Sequence, residues 1–243
     1  EREKAAILAK NEQLRANLLR SISHDLRTPL TSISGNAGIL LSNGDTLKPE
    51  KKQQLYSDIY DDALWLINLV ENLLAVTKIE EGSMHLKMSA ELMDEVITEA
   101  LHHVNKKKDE HTIKVVQTED FILAKMDARL IVQVIINIVD NAIKYTPTGS
   151  TITISTTKKD KQVIVDIADD GPGIPDQAKE RIFDMFYIAP NEVVDSHRSL
   201  GLGLALCKSI INAHGGEISV LDNKPKGTFF RFTLPAEEVN LYE

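Results

Sequence analysis

The chain has 243 residues, 42% of them apolar, and carries 28 basic against 36 acidic side chains for a net charge of −8. That size allows one large domain or two of ordinary size with real cores, and the acidic balance, with no basic cluster beyond Lys106-Lys107-Lys108, speaks against non-specific nucleic-acid binding. No stretch approaches the ~18 apolar residues of a membrane span, no signal-peptide pattern is visible, and the single Cys207 lies in an apolar helical run, as an inert core thiol in a reducing compartment would.

From the N-terminus, Ile7, Leu14, Leu18, Ile22, Leu26, Leu30, Ile33, Ala37 and Leu40 recur mostly three or four apart, which predicts one long helix with an apolar stripe. Glu1 stands inside this charged helical pattern, so the helix is expected to continue upstream in a longer protein. Ser42-Asn43-Gly44-Asp45 stops it and Pro49-Glu50 opens a second, since Asn-Gly favours a turn and proline is tolerated in a first helical turn. The second helix repeats the stripe at Leu55, Ile59, Ala63, Leu66, Val70 and Leu73 and ends near Gly82. Two antiparallel helices with one apolar stripe each cannot hide both stripes from water, so a second copy completing a four-helix bundle, and hence a homodimer, is expected.

At Glu81-Gly82-Ser83 the pattern changes, dividing an all-α hairpin domain over 1–80 from a mixed domain over 84–238. The mixed domain reads as a short strand near His85–Met88, a helix over Leu92–Val104, and strands at Ile113–Val116 and Phe121–Lys125. A long helix then runs from an Asp127 cap to Tyr145. Alternating strands at Thr151–Thr157 and Gln162–Ala168 flank a polar turn. A short helix from Pro175, a polar loop over Ala189–Ser199, a helix from about Gly201 to His214 and a hairpin over Glu217–Leu234 complete it. Strands with helices packed on one face make an α+β two-layer sandwich.

Four segments carry chemistry. In Ser23-His24-Asp25-Leu26-Arg27-Thr28-Pro29-Leu30, His24 sits roughly 200° from Ile22 and Leu26 at about 100° per residue and points away from the apolar seam. Thr28 lies one turn further on the same stripe. An exposed imidazole with a neighbouring carboxylate can accept a phosphoryl group, and Pro29 inside the helix costs about 3 kcal/mol, a sign of a kink beside a working site. In the long helix Asn137, Asn141, Lys144 and Tyr145 share one face; amides are hard oxygen ligands for Mg²⁺, a lysine can neutralise phosphate, and an aromatic ring can lie on a purine. Asp169-Asp170-Gly171-Pro172-Gly173 ends a strand, where a carboxylate can accept from an exocyclic amine and glycines admit a ligand to the backbone. Gly201-Leu202-Gly203-Leu204 opens a helix whose free N–H groups suit a phosphate chain.

In this order the segments resemble the sensor histidine kinases of two-component systems over nearly the whole chain. Ser23–Leu30 is similar to that family's histidine box, Asn137–Tyr145 to its asparagine box, Asp169–Gly173 and Gly201–Leu204 to its two glycine boxes, and Phe183–Phe186 to its phenylalanine box. The resemblance implies a dimeric helical bundle followed by an ATP-binding sandwich of the chaperone, topoisomerase and histidine-kinase type. It implies His24 as phospho-acceptor, Asp25 as its acid/base partner and Thr28 in hydrolysis of the phosphorylated regulator. It further implies Asn141, supported by Asn137, as Mg²⁺ ligand, Lys144 at the phosphates of ATP, Tyr145 at the base and Asp169 at the adenine amine. Gly171, Gly173, Gly201, Gly203 and Leu204 would line the cofactor under a mobile loop from Tyr187 to Leu200. The implied partner is the receiver domain of a response regulator, and the implied setting is the cytosolic portion of a membrane-anchored sensor.

Ser23–Thr31 together with Asp127-Ala128-Arg129-Leu130 is similar to the Kdp-type potassium-responsive subgroup. One departure is Arg198-Ser199-Leu200, where many members carry glycines; Arg198 there could reach the phosphates itself. Two rival readings are an ATPase clamp of the chaperone or topoisomerase type, which lacks the His24 helix pair, and a nucleotide-binding scaffold without catalysis. The remaining histidines read as surface or packing residues.

Overall fold

The computed structural model describes residues 22–23, 26–80, 85–104, 110–119, 121–185, 187 and 201–237. They fall in two units, Glu1–Leu74 and Ala75–Glu243. In the first, helix α1 (26–43, helical also at 22–23) is followed by α2 (Pro49–Glu80). The Asn-Gly signal works as expected: the Asn43 carbonyl accepts from the N–H groups of Thr46 and Leu47 and from Thr46 Oγ1. A Cβ on Gly44 would strike the Leu40 carbonyl. α1 continues through Pro29, which is buried.

The apolar seam of α2 differs from the expected one. Leu55, Asp62 and Leu69, seven apart, are its buried positions, the repeat of helices that pair along a seam. Ile59, Ala63, Leu66 and Leu73 are half-buried, and Val70 is exposed, as is Leu30 on α1. A second stripe of Tyr56, Tyr60, Leu64, Ile67 and Leu74 is exposed, Tyr60 to 60% and Ile67 to 53%. At 100° per residue this stripe lies about 140° round the helix from Leu55, Asp62 and Leu69. The sequence shows one apolar periodicity on this helix, whereas the fold separates it into two faces.

The second unit follows the expected alternation. β1 (Ser89–Leu92), α3 (Met93–His103), β2 (Thr112–Gln117), β3 (Leu123–Met126) and α4 (Ala128–Tyr145) lead to β4 (Thr151–Lys159) and β5 (Gln162–Asp169). After these come α5 (Asp176–Lys179), α6 (Gly203–Ala213), β6 (Ile218–Asp222) and β7 (Thr228–Pro235). The main sheet has the order β2-β4-β5-β7-β6, parallel between β2 and β4 and antiparallel elsewhere, and β1 pairs with β3 separately. Every second residue of β4, β5 and β7 points inward, Ile152, Ile154, Val163, Val165, Ile167, Phe230, Phe232 and Leu234 among them. α4 packs on β4 and β5, α6 on β6 and β7, and α3 on α4. This is a two-layer sandwich with helices on one face.

Three local expectations shift. The strand placed at His85–Met88 forms at Ser89–Leu92, because the Lys87 N–H is taken by Asp127 Oδ2 at 3.0 Å rather than by a ladder partner. Phe121 is not in β3: its φ of +61° is left-handed and breaks the strand. Asp127 stands at the N-cap position of α4 but its side chain caps nothing there. Its carboxylate instead accepts from Lys87 and from Arg129 Nη2 at 3.1 Å, while its N–H donates to His214 Nε2 at 3.0 Å. His214 Nδ1 in turn donates to the Ile210 carbonyl at 2.8 Å. Although burial pushes the Asp127 carboxyl up, the Arg129 and Lys87 hydrogen bonds bring it below the usual aspartate value.

One inward position of β4 is polar. Thr156 is fully buried and its Oγ1 has no hydrogen-bond partner among the described residues. A buried unsatisfied hydroxyl costs about 1–3 kcal/mol. Thr156→Val, which keeps the shape, is therefore expected to stabilise the second unit by about 1 kcal/mol, or about 2–4 °C in Tm. Thermal melts of the two proteins check it, and a lower Tm in the variant contradicts it.

Candidate functional site

Four of the singled-out residues lie on the half-buried face of α4. Its core face of Ile131, Val134, Ile135, Ile138, Val139, Ala142 and Ile143 is buried, which leaves Asn137, Asn141, Lys144 and Tyr145 along the opposite edge, each half-buried. Lys144 Nζ lies 5.4 Å from the centroid of the Tyr145 ring. The two ends of this row meet the two glycine turns. Asn137 faces Gly203, where an added Cβ would sit 3.7 Å from Asn137 Cγ and Oδ1. Its Nδ2 is buried with no hydrogen-bond partner among the described residues. At the other end Thr146, the residue that closes α4, meets Gly171, where a Cβ would come 2.6 Å from Thr146 Cγ2. At 1.5 Å per residue the two turns are held about 14 Å apart along α4.

Asp169 is the last residue of β5 and is 8% exposed. Its Oδ1 accepts two backbone N–H bonds, from Gly171 at 2.9 Å and from Thr228 at 3.2 Å. No described group engages Oδ2. Burial pushes the Asp169 carboxyl above the usual 3.8, the Gly171 and Thr228 bonds opposing the shift and the neighbouring Asp170 adding to it. The two adjacent carboxylates have different tasks. Asp170 Oδ1 accepts from the Thr151 N–H at 3.0 Å and fixes the start of β4, whereas the Asp169 carboxylate is buried and held by two N–H groups on a single oxygen.

The remaining expectations divide simply. Gly173 and Gly201 have φ of +83° and +65°, the left-handed region that favours glycine. α6 starts at Gly203, two residues after the expected Gly201, with Leu202 in its N-cap position, and Leu204 is half-buried in its first turn. Thr28 is exposed on α1. His24, Asp25, the Glu81–Ser83 segment, Phe186, residues 188–200 with Arg198, and His197 lie outside the described residues. Cys207 is fully buried, its thiol pushed up to about 12 by burial, which fits an inert core thiol.

Residues that sequence reasoning missed are Thr146, Asn223, Gly227 and Thr228, all of which touch the Asp169 turn. His111 also belongs here: its Nε2 is 3.0 Å from Thr146 Oγ1, which itself donates to the Ala142 carbonyl. The available signal was Gly227-Thr228 at the mouth of a hairpin, a glycine 58 residues away in sequence from its partner Asp169.

The family model described as "Histidine kinase-, DNA gyrase B-, and HSP90-like ATPase" matches residues 126–238, and that of the "His Kinase A (phospho-acceptor) domain" matches 14–82. A phospho-acceptor module followed by an ATPase module of this kind defines the class, and the chain belongs to the sensor histidine kinases. Within them it is similar to Sensor protein KdpD of Clostridium acetobutylicum, 47% identical over 237 residues. That match takes in 98% of this chain and 26% of the relative, so the chain spans about a quarter of the relative's length. Among solved structures it is similar to the Acinetobacter baumannii histidine kinase AdeS, with a TM-score of 0.69 and 26% identity over 88% of this chain and 98% of that one. It is also similar to histidine kinase ThkA in complex with response regulator protein TrrA, with a TM-score of 0.65 and 27% identity over 91% of this chain and 61% of that one.

The raised Asp169 has a consequence for stability. In the window between 3.8 and the raised value the folded chain binds more protons here than the unfolded chain, so its contribution to stability falls as pH rises through that window. Asp169→Asn keeps an oxygen for the Gly171 and Thr228 N–H groups and removes the charge. Relative to wild type, its stability is expected to rise as pH climbs above the usual aspartate value of 3.8 and to level off above the raised one. Urea titrations of both proteins across that range measure it; a difference that does not change with pH, or that runs against the variant, contradicts the assignment.

Proposed function

We propose that this chain is the catalytic core of a sensor kinase that phosphorylates itself on His24 from Mg-ATP and passes the phosphoryl group to an aspartate of a response regulator. The observation that carries the reading is Asp169, whose Oδ1 is filled by two N–H donors while Oδ2 is left as a bare acceptor. That oxygen suits the exocyclic amine of adenine. From there α4 leads past Tyr145, Lys144 and Asn141 to the Gly203 turn, a sequence of groups suited in turn to base, phosphate and cation.

ATP, when bound, supplies the phosphoryl group, and Mg²⁺ screens its charge. The amide oxygens of Asn141 and Asn137 are the donors for that ion. Among the described residues no three His, Cys, Asp or Glu side chains gather to hold a metal, which accords with an ion that arrives on phosphates. The buried Asn137 Nδ2 is a donor, suited to a phosphate oxygen rather than to the ion. Lys144 neutralises phosphate oxygens. Asp25 serves His24 as acid/base partner as the ring nitrogen displaces ADP, and Thr28 serves a separate reaction, the hydrolysis of the phosphorylated regulator, in which water takes the phosphoryl group.

A homodimer is part of the proposal, since the exposed stripe of Tyr56, Tyr60, Leu64, Ile67 and Leu74 is an apolar face of the kind a four-helix bundle covers. The response regulator is supported by the likeness to ThkA, solved in complex with TrrA. No helix among the described residues is long and apolar enough to cross a membrane; a place as the cytosolic portion of a membrane-anchored sensor is part of the same proposal, implied by the resemblance of the motifs to the sensor histidine kinases.

His24→Gln is expected to abolish uptake of label from γ-labelled ATP, more than a hundredfold below wild type, with ATP affinity within about twofold. Retained labelling would sink the assignment. For the dimer, Ile67→Glu is expected to raise the dimer dissociation constant by at least about tenfold. Sedimentation checks it, and an unaltered dimer places the interface elsewhere.

A further inference from the structure

The turn between β6 and β7, residues 223–227, is stapled to the Asp169 loop at several points. Asn223 Nδ2 donates to the Asp169 backbone carbonyl at 2.7 Å, and the Asn223 N–H closes the turn on the Gly227 carbonyl at 2.9 Å. Gly227 has a φ of +109°, and a Cβ there would fall 2.0 Å from the Asp169 carbonyl oxygen and 2.9 Å from Asp170 Cα. No other residue fits. The next residue, Thr228, supplies one of the two N–H bonds on Asp169 Oδ1. On the far side, Gly173 lies over Gly227, its added Cβ 3.5 Å from the Gly227 carbonyl. Beyond it Lys179 of α5 bridges Asp176 at 2.6 Å and Asp222 at 2.7 Å.

The loop that leaves β5 is therefore held at both ends by one hairpin turn. Of these ties, the two on Asp169 itself matter most. The carboxylate can turn about its side-chain bonds unless its backbone is fixed and one oxygen is occupied. Thr228 and Gly171 occupy Oδ1. The Asp169 backbone stands opposite Ile152 at the end of β5, and the side chain that ties its carbonyl is Asn223.

We propose that Asn223 is a positioning residue that sets purine selectivity, by holding the Asp169 backbone so that Oδ2 alone meets the base. This rests on the reading of Asp169 as the adenine-facing group. A fixed, bare carboxylate oxygen favours a base with an exocyclic amine opposite it and repels one with a carbonyl there, so adenine is taken and guanine refused. Once the tether is cut, the Asp169–Asp170 peptide can shift while Oδ1 keeps its two N–H donors, so Oδ2 loses its fixed direction and both its attraction and its repulsion weaken.

The test is calorimetric titration of the full 243-residue chain with ATP and with GTP, each with Mg²⁺, for wild type, Asn223→Ala and Asn223→Asp. Asp keeps the shape of Asn223 without the N–H donor, so it preserves the readout if the alanine variant fails to fold. Both variants are expected to bind ATP about tenfold more weakly while GTP binding changes by less than about twofold, so that the preference narrows. An unchanged ATP affinity, or an equal loss for both nucleotides, overturns the proposal, because a merely structural role would lower the two together. Asp169→Asn in the same titration separates the two layers. If it binds ATP as wild type does, Asp169 is not the base-facing group and both readings fall. If it loses ATP while the Asn223 variants do not, only the role of Asn223 falls.

Discussion

The second unit depends on a buried carboxylate that is only half satisfied. Asp169 closes the central strand β5, and both of its protein donors bind Oδ1. A carboxylate removed from water seeks hydrogen bonds for both oxygens. Here the fold provides for one, and on the proposed reading the other is left for the base. The glycine at 171, which meets both Asp169 and Thr146, and the glycine at 227, which meets the Asp169 carbonyl, are consequences of that choice. Backbone has to approach the carboxylate from two directions, and a side chain at either position would block it.

α4 translates this local constraint into a cradle. Its buried face fixes it against β4 and β5, so the polar edge cannot roll. Thr146 seats one end on the Asp169 turn and Asn137 seats the other on the α6 N-terminus. A helix is a ruler of fixed rise, and the separation of the two turns is therefore set by the number of residues between them. In phosphoryl transfer the protein contributes chiefly placement and charge, so a rigid spacing of this kind is a functional quantity.

Much of this was legible in the sequence, for physical reasons that differ by element. α4 declared itself because its apolar and polar faces alternate with the helical period over 18 residues. The strands β4, β5 and β7 did so through their period of two. Asn137, Asn141, Lys144, Tyr145 and Asp169 could be picked out because their chemistry is concentrated in short segments. The seam of α2 was less clear: apolar residues cover two faces of that helix, and periodicity alone cannot say which face is buried within the chain and which stays exposed. The strand at His85–Met88 was misplaced since its deciding interaction is with Asp127, 40 residues on. Asn223, Gly227 and Thr228 were invisible for the same reason: a turn's sequence reveals its conformation, not the distant strand end that it touches.

The identity of residue 169 itself can be argued from these bonds. An asparagine would satisfy the Gly171 and Thr228 N–H groups through its oxygen equally well, and it would avoid the burial of charge that pushes the aspartate upward. Stability alone thus favours the amide. Yet with Oδ1 committed to the backbone, the group turned toward the ligand would be an NH₂, which donates and would face the amine of an adenine with like polarity. Only a carboxylate presents an acceptor after its first oxygen has been used. On the proposed reading, the aspartate is therefore explained by the atom the fold leaves free, a group kept for the base at some expense to the fold.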